Sequence, residues 1–235
     1  MKFQLSQITP DVLATWIVIP AYNEAEVIAD TVAHARSIFP RVVVINDGSS
    51  DRTAAAAAEA GAIVVMHPIN LGQGAALQTG IDFAVAQGAE YIATFDADGQ
   101  HRIDDVLTML THLRANDVDV VLGSRFLGNT IGLRPLRRAV LWAAVLFTKC
   151  TTGLKLTDAH NGLRVFTAAS AAKINLFQNR MAHASEILEQ IATKKFKYAE
   201  IGNTVRYTPY SIAKGQPSSN SINILIDLFL GRLKK

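Results

Sequence analysis

Short apolar runs alternate along the chain with stretches whose apolar positions recur at helical spacing. Trp16-Ile17-Val18-Ile19 is a β run closed by Pro20-Ala21-Tyr22-Asn23-Glu24, and residues 25–38 follow with helical periodicity. The unit then repeats. Val42-Val43-Val44-Ile45 is a strand, Asn46-Asp47-Gly48-Ser49-Ser50 a turn rich in N-capping residues, and residues 51–60 an alanine-rich helix stopped by Gly61. Residues 62–66 form a third strand, and Asn70-Leu71-Gly72-Gln73-Gly74 leads into a helix through residue 86. Residues 91–95 give a fourth strand with a helix over 104–115 behind it, and residues 119–122 a fifth. Alternation of this kind predicts an α/β domain with a mostly parallel, doubly wound sheet flanked by helices. Pro135 opens an apolar helix, and His183 and Glu186 lie one turn apart near the start of another that runs through Ile191. Residues 211–221, rich in Ser, Gly and Asn, read as a mobile loop. Residues 222–235 put Ile222, Leu225, Ile226, Phe229 and Leu233 on one helical face before a basic end, which predicts an amphipathic C-terminal helix. The expected division is an N-terminal extension over 1–14, one domain over 15–210, and the loop and basic helix over 211–235.

Composition narrows the class. With 235 residues and 49% hydrophobic content, the chain can bury one substantial core. The lone cysteine, Cys150, excludes an internal disulfide framework or a cysteine metal cluster, and no basic-then-apolar leader opens the chain, so a cytoplasmic location is expected. The longest uncharged apolar run, residues 139–147, is half of the ~18 residues a bilayer span needs. Charge is unevenly spread: residues 194–235 carry eight Lys and Arg against two acids, whereas residues 1–193 carry fifteen against eighteen. Such an end suits an anionic membrane surface or a partner's membrane helix. No nucleic-acid partner is expected.

The candidate chemistry centres on Phe95-Asp96-Ala97-Asp98-Gly99-Gln100-His101. Two carboxylates one residue apart at the end of a buried strand project the same way, at the edge where open α/β sheets bind ligands. Asp96 and Asp98 with the Gln100 carbonyl suit Mg²⁺ or Mn²⁺ better than zinc, and the metal would hold a diphosphate. The same residues would also make an ordinary turn. Gly72 and Gly74 do not complete a dinucleotide fingerprint, because Leu77 replaces the third glycine and the motif follows the third strand. Gly123-Ser124-Arg125 ends the fifth strand beside the acids, where an arginine fits a diphosphate. Arg134, Arg137 and Arg138 crowd a helix N-terminus against its dipole, as if awaiting an anion; a core helix with a basic start is the plainer alternative. Thr157-Asp158-Ala159-His160-Asn161-Gly162-Leu163-Arg164 is a polar knot between apolar segments. His34, His67 and His112 show no partner pattern and read as structural or surface residues.

Taken together, these segments resemble the family 2 glycosyltransferases of the GT-A fold, most of all the dolichol- and polyprenyl-phosphate hexose transferases. The resemblance rests on residues 19–24, Asn46-Asp47-Gly48-Ser49, Asn70-x-Gly72-x-Gly74, residues 96–101, Gly123-Ser124-Arg125 and residues 158–164, and covers roughly 15–210. It implies an inverting, metal-dependent transferase that moves a hexose from a nucleotide-diphosphate sugar to a polyprenyl phosphate at the cytoplasmic membrane face. By position, Pro20, Tyr22, Glu24 and Asp47, with Asp96 and Ala97, would hold the nucleotide. Asp96, Asp98 and Gln100 would hold Mg²⁺ or Mn²⁺ and the diphosphate. Arg125 and Arg138 would contact phosphates with Asp158 near the reacting carbon, and Arg134, Arg137, Arg164 and Arg206 would face the acceptor. Asn46 departs from the family's usual acid, which affects base recognition. Relatives often continue into membrane helices, so this chain would need the membrane surface or a separate integral membrane partner. A transferase to a sugar hydroxyl in polysaccharide or lipopolysaccharide synthesis, with Asp158 as general base, and a non-catalytic nucleotide-sugar-binding regulator are the alternatives. The sugar and the base stay open.

Overall fold

In Thr15–Ala21 (β1) every residue is buried, because the strand lies inside a sheet covered on both faces. The computed structural model describes residues 9–133, 135–178 and 182–214. On one side β1 pairs in parallel with Arg41–Asp47 (β2), which pairs with Ile63–His67 (β3); on the other it pairs with Tyr91–Thr94 (β4). Arg164–Thr167 (β7) lies between β4 and Val120–Ser124 (β5), antiparallel to both, and Tyr198–Gly202 (β8) closes the far edge parallel to β5. The seven strands run in the order β3-β2-β1-β4-β7-β5-β8. Thr130–Ile131 (β6) and Val205–Arg206 (β9) form a separate two-stranded ribbon.

Period-2 alternation sorts the strands onto two apolar layers. Ile17 and Ile19 face a core built with Ile28–Arg36 (α2), Thr53–Glu59 (α3) and Ile103–Ala115 (α5), joined by Val12 of the short helix Pro10–Ala14 (α1). Trp16 and Val18 face the other core, built with Gln73–Ala86 (α4), Pro135–Thr152 (α6), Ala168–Ala171 (α7) and Ala182–Thr193 (α8). The doubly wound, mostly parallel sheet expected from the alternation is present. It also holds β7 and β8, which the apolar runs did not announce. The helix after β1 begins at Ile28 rather than 25, since residues 25–27 form a turn whose Val27 N–H donates to the Glu24 carbonyl at 3.0 Å. Pro209–Lys214 (α9) is helical, so residues 211–214 belong to a helix and not to the loop expected there. Residues 215–221, the amphipathic segment 222–235 and Arg134 lie outside the described residues.

Candidate active site

The carboxyl ends of β1, β2, β4 and β5 surround a cleft of about 480 Å³. At its centre, the chain leaving β4 delivers Asp96 and Asp98 to the wall. His101 Nε2 lies 3.0 Å from Asp96 Oδ2, and its other nitrogen lies 3.2 Å from Asn203 Nδ2. Burial opposes ionisation of Asp96, but the bond from His101 and the charges of His101 and Arg164 outweigh it and hold the carboxyl below its usual range. Asp98 goes the other way. Burial first, and the Asp96 charge second, push it up to about 6.

Two converging carboxylates that repel one another are the complement of a divalent cation. Among the described residues no three acids, histidines or cysteines form a metal cluster, so what the cleft offers is this pair. That matches the habit of Mg²⁺, which takes one or two carboxylates and fills its shell with water and phosphate oxygens. Gln100 lines the cleft beside the pair, its side-chain nitrogen donating to Asp98 Oδ2 at 2.5 Å and its backbone N–H to Oδ1 at 3.1 Å, so it aims Asp98.

The polar knot packs directly onto this acidic wall. Thr94 Oγ1 donates to the Gly162 carbonyl at 2.7 Å, and a Cβ on Gly162 would overlap the Asp96 carboxylate. Gly162→Ala is therefore expected to displace Asp96 and lower kcat about tenfold or more while the fold persists, checked by turnover beside circular dichroism. Arg125, at the end of β5, is buried and fully engaged. Its Nε lies 2.6 Å from Asp158 Oδ2, Nη2 donates to the His160 carbonyl at 2.7 Å, and Nη1 donates to Tyr207 Oη at 2.9 Å. Asp158 has no exposed side-chain surface and also accepts from the Arg125 N–H at 3.1 Å. It stands behind Arg125 and not at the cleft wall, so the base or near-carbon position expected of it is not where the structure puts it. His160 does line the cleft, and burial, with Arg125 and Arg164 nearby, pulls it down to about 4 against the pull of Asp158.

The other arginines divide. Arg137 lines the cleft, its guanidinium carbon 4.9 Å from the Tyr207 ring centroid. Arg138 and Arg206 are exposed and do not line it. Helical geometry explains the first case: adjacent residues are about 100° apart, so only one of Arg137 and Arg138 can face inward. Arg164 is buried beneath the acidic wall, and its Nη1 finds no hydrogen-bond partner among the described residues. Burial draws it down to about 10, with the charges of Asp96 and Asp158 opposing. Tyr207, which the sequence reading passed over, thus ties Arg125 to Arg137. Tyr207→Phe keeps the ring under Arg137 but drops the bond to Arg125, and is expected to raise the acceptor KM about tenfold with donor affinity unchanged, read from steady-state kinetics and nucleotide titration.

At the far end, Tyr22 and Glu24 border the cleft. Asn23 takes φ 53°, and its side-chain oxygen accepts from Ser50 N at 2.9 Å while its own N–H donates to Ser49 Oγ at 2.9 Å. The Glu24 N–H donates to Thr53 Oγ1 at 2.7 Å, which clamps this loop onto the one after β2. Asp47 accepts from Leu71 N at 2.9 Å and Gly72 N at 2.8 Å, and lies 2.7 Å from His67 Nδ1. Gly72, at φ 95°, supplies the turn that brings those two amides round. Tyr210 Oη donates to Glu24 at 2.7 Å and Lys214 Nζ pairs with it at 2.9 Å. Neither was foreseen; the one signal was the basic character of the last forty residues. Pro20, Tyr22, Glu24, Asp47, Asp96, Ala97, Asp98, Gln100, Arg125 and Arg137 therefore meet in one cleft.

The model of glycosyl transferase family 2 matches residues 16–171, which contain the acid pair, Arg125, Asp158 and Arg164. The chain belongs to family 2 of the glycosyltransferases. The transferase is 32% identical to an uncharacterised protein of Methanocaldococcus jannaschii, over 98% of this chain and 96% of the relative. It is 29% identical to the UDP-N-acetylglucosamine–dolichyl-phosphate N-acetylglucosaminyltransferase of Methanococcus voltae, over 94% and 96%. It is 31% identical to the undecaprenyl-phosphate mannosyltransferase of Micrococcus luteus, over 68% of each. Among solved structures, glucosyl-3-phosphoglycerate synthase from Mycobacterium tuberculosis, in complex with Mn²⁺, UDP-glucose and phosphoglyceric acid, superposes with a TM-score of 0.67. That pair shares 18% identity over 91% of this chain and 78% of the synthase, a likeness of fold, and the fold is GT-A. Among the described residues of the transferase, no helix is long and apolar enough to cross a membrane.

Proposed function

We propose that this transferase moves a hexose, with inversion, from a nucleoside diphosphate sugar to a polyprenyl phosphate, working as a peripheral protein at the cytoplasmic membrane face. The observation that carries this reading is the state of the acids around the cleft. Outside the Asp96 and Asp98 pair, each carboxylate lining it is already engaged: Glu24 by Tyr210 and Lys214, Asp47 by His67 and two backbone amides. Asp158 is spent on Arg125. A sugar hydroxyl needs a base to take its proton, whereas a phosphate monoester, with a second pKa of about 6, is already an anionic nucleophile at neutral pH. The named dolichyl and undecaprenyl phosphate acceptors of two relatives support the same choice.

The residues then have separable tasks. Tyr22, Glu24 and Asp47 bind the nucleoside end of the donor. Asp96 and Asp98 would hold Mg²⁺ or Mn²⁺, which neutralises the departing nucleoside diphosphate. Arg137, steadied by Tyr207, orients the acceptor phosphate, and Arg125 with Arg164 keeps the local field positive where phosphates meet. Rate comes from placing two anionic groups against one another and offsetting their charge, with no proton moved by the chain. The test is a screen of UDP-, GDP- and dTDP-hexoses with Mg²⁺ and Mn²⁺, offering a prenyl phosphate and free sugars as acceptors. A glycosyl prenyl phosphate of inverted anomeric configuration is the expected product; transfer to sugar hydroxyls alone would overturn the reading.

A further inference from the structure

Helix α6 has 18 residues without an Asp or Glu, and at 1.5 Å per residue is about 27 Å long. Leu141, Ala144 and Thr148 are buried against the protein. Arg138, Ala139, Trp142, Ala143, Leu146 and Lys149 are exposed, and at about 100° per residue they fall on one side of the helix. Trp142 is 67% exposed and Leu146 48%, which is unusual for side chains of that size on a water-facing helix. A cation stands at each end of this apolar stripe.

We propose that the outer face of α6 is the surface on which the enzyme rests against an anionic bilayer. The inference builds on the reading that the acceptor is a lipid phosphate. Three features select the bilayer as the occupant. The basic ends and the absence of acid complement anionic headgroups. Trp142 joins an apolar body to one polar N–H, the combination that settles at the headgroup level. A second copy docked face to face would set the Arg138 and Lys149 of one chain against the same cations of the other, which is unfavourable for a self-complementary interface. The helix is two-sided in function as well as in polarity. Arg137, one residue before Arg138, turns inward to the cleft, so a lipid phosphate leaving the headgroup plane meets it within a side chain's length.

The molecule supplies its own reporter. Of its two tryptophans, Trp16 is 5% exposed and packed edge-on against Phe83, while Trp142 stands in the stripe. The full-length protein is mixed with vesicles of phosphatidylcholine, with or without phosphatidylglycerol, carrying brominated acyl chains. Trp142 emission is expected to shift to the blue and be quenched on the phosphatidylglycerol vesicles, less so at high salt. Trp142→Phe removes the quenching, and Leu146→Ser with Lys149→Glu weakens vesicle partition about tenfold. Vesicle binding without quenching of Trp142 overturns the proposal in favour of another surface, residues 215–235 included. Absence of binding to phosphatidylglycerol vesicles overturns it outright, and so does self-association that Leu146→Ser abolishes. Transfer to a short, water-soluble prenyl phosphate without vesicles tests the acceptor on its own: if that transfer fails while Trp142 is quenched, the surface stands and the acceptor reading falls.

Discussion

Replacing Asp98 with Asn is expected to lower kcat by about a thousandfold or more while leaving the protein at least as resistant to heat. The two effects have one cause. Asp98 faces Asp96 across a buried wall, and in the metal-free protein its carboxyl is pushed up to about 6 from 3.8. A carboxyl raised in the folded state contributes its stability below about pH 4 and loses it as pH climbs through about 6. Neutral-pH protein without metal therefore carries an unfavourable charge that Asn removes. The same charge is what the proposed divalent cation would need in order to hold a diphosphate, so the variant is expected to keep its fold and lose its chemistry. Thermal melts over pH 4 to 7, with and without Mn²⁺, check both halves: Mn²⁺ should stabilise the wild type, by about 2.7 kcal/mol at a hundredfold excess over Kd, and leave Asp98→Asn nearly unmoved. Full activity of the variant in excess chelator would end the metal assignment.

Asp158→Asn is expected to damage stability first and turnover as a result. Its carboxylate has no exposed surface and lies 2.6 Å from Arg125 Nε, so the amide leaves a buried guanidinium without its counter-charge. Breaking a buried pair on one side costs about 3 to 5 kcal/mol, which urea unfolding resolves. Arg125 also orders Tyr207 and the His160 carbonyl, so kcat should drop about a hundredfold through misplacement. The limbs of the pH–rate profile should stay where they are, since in the proposed reaction Asp158 takes no proton from substrate. Loss of the acidic limb in this variant would make Asp158 a base and the acceptor a hydroxyl.

Much of this was written in local patterns. The five parallel strands and the turns that carry Tyr22, Asp47, Asp96 and Arg125 followed from apolar runs ending in polar residues, because in a doubly wound sheet every buried strand stops where solvent and ligand begin. Strands β7 and β8 were not legible. Arg164-Val165-Phe166-Thr167 has two apolar residues, and Tyr198-Ala199-Glu200-Ile201-Gly202 carries an acid in mid-strand; only their neighbours in the sheet make them strands. The choice between Arg137 and Arg138 depends on how α6 is rotated, which one turn of sequence does not define. The partners of Gln100 and Asp158 were hidden for a related reason. A motif gives the residue's place in the chain, but whether its polar atoms face a ligand or a neighbouring side chain is decided by contacts across the fold.

Because β7 threads between β4 and β5, the order in which this protein can fold is constrained. Every pairing among β1 to β4 lies within residues 15–94, whereas β5 gains its inner neighbour only after the chain has gone out through α6 and come back at residue 164. During synthesis two strands can pair only once both have been made. The β1–β4 half, with the loops that follow β1 and β2, can therefore consolidate while the rest of the chain is still leaving the ribosome. The acids of β4 and the arginine of β5 are brought together only when β7 zips in between them. A ribosome-stalled chain ending near residue 160 should thus show protease-resistant β1–β4 structure and no nucleotide-dependent stabilisation by Mn²⁺, and competence should arrive in a single step once β7 has emerged.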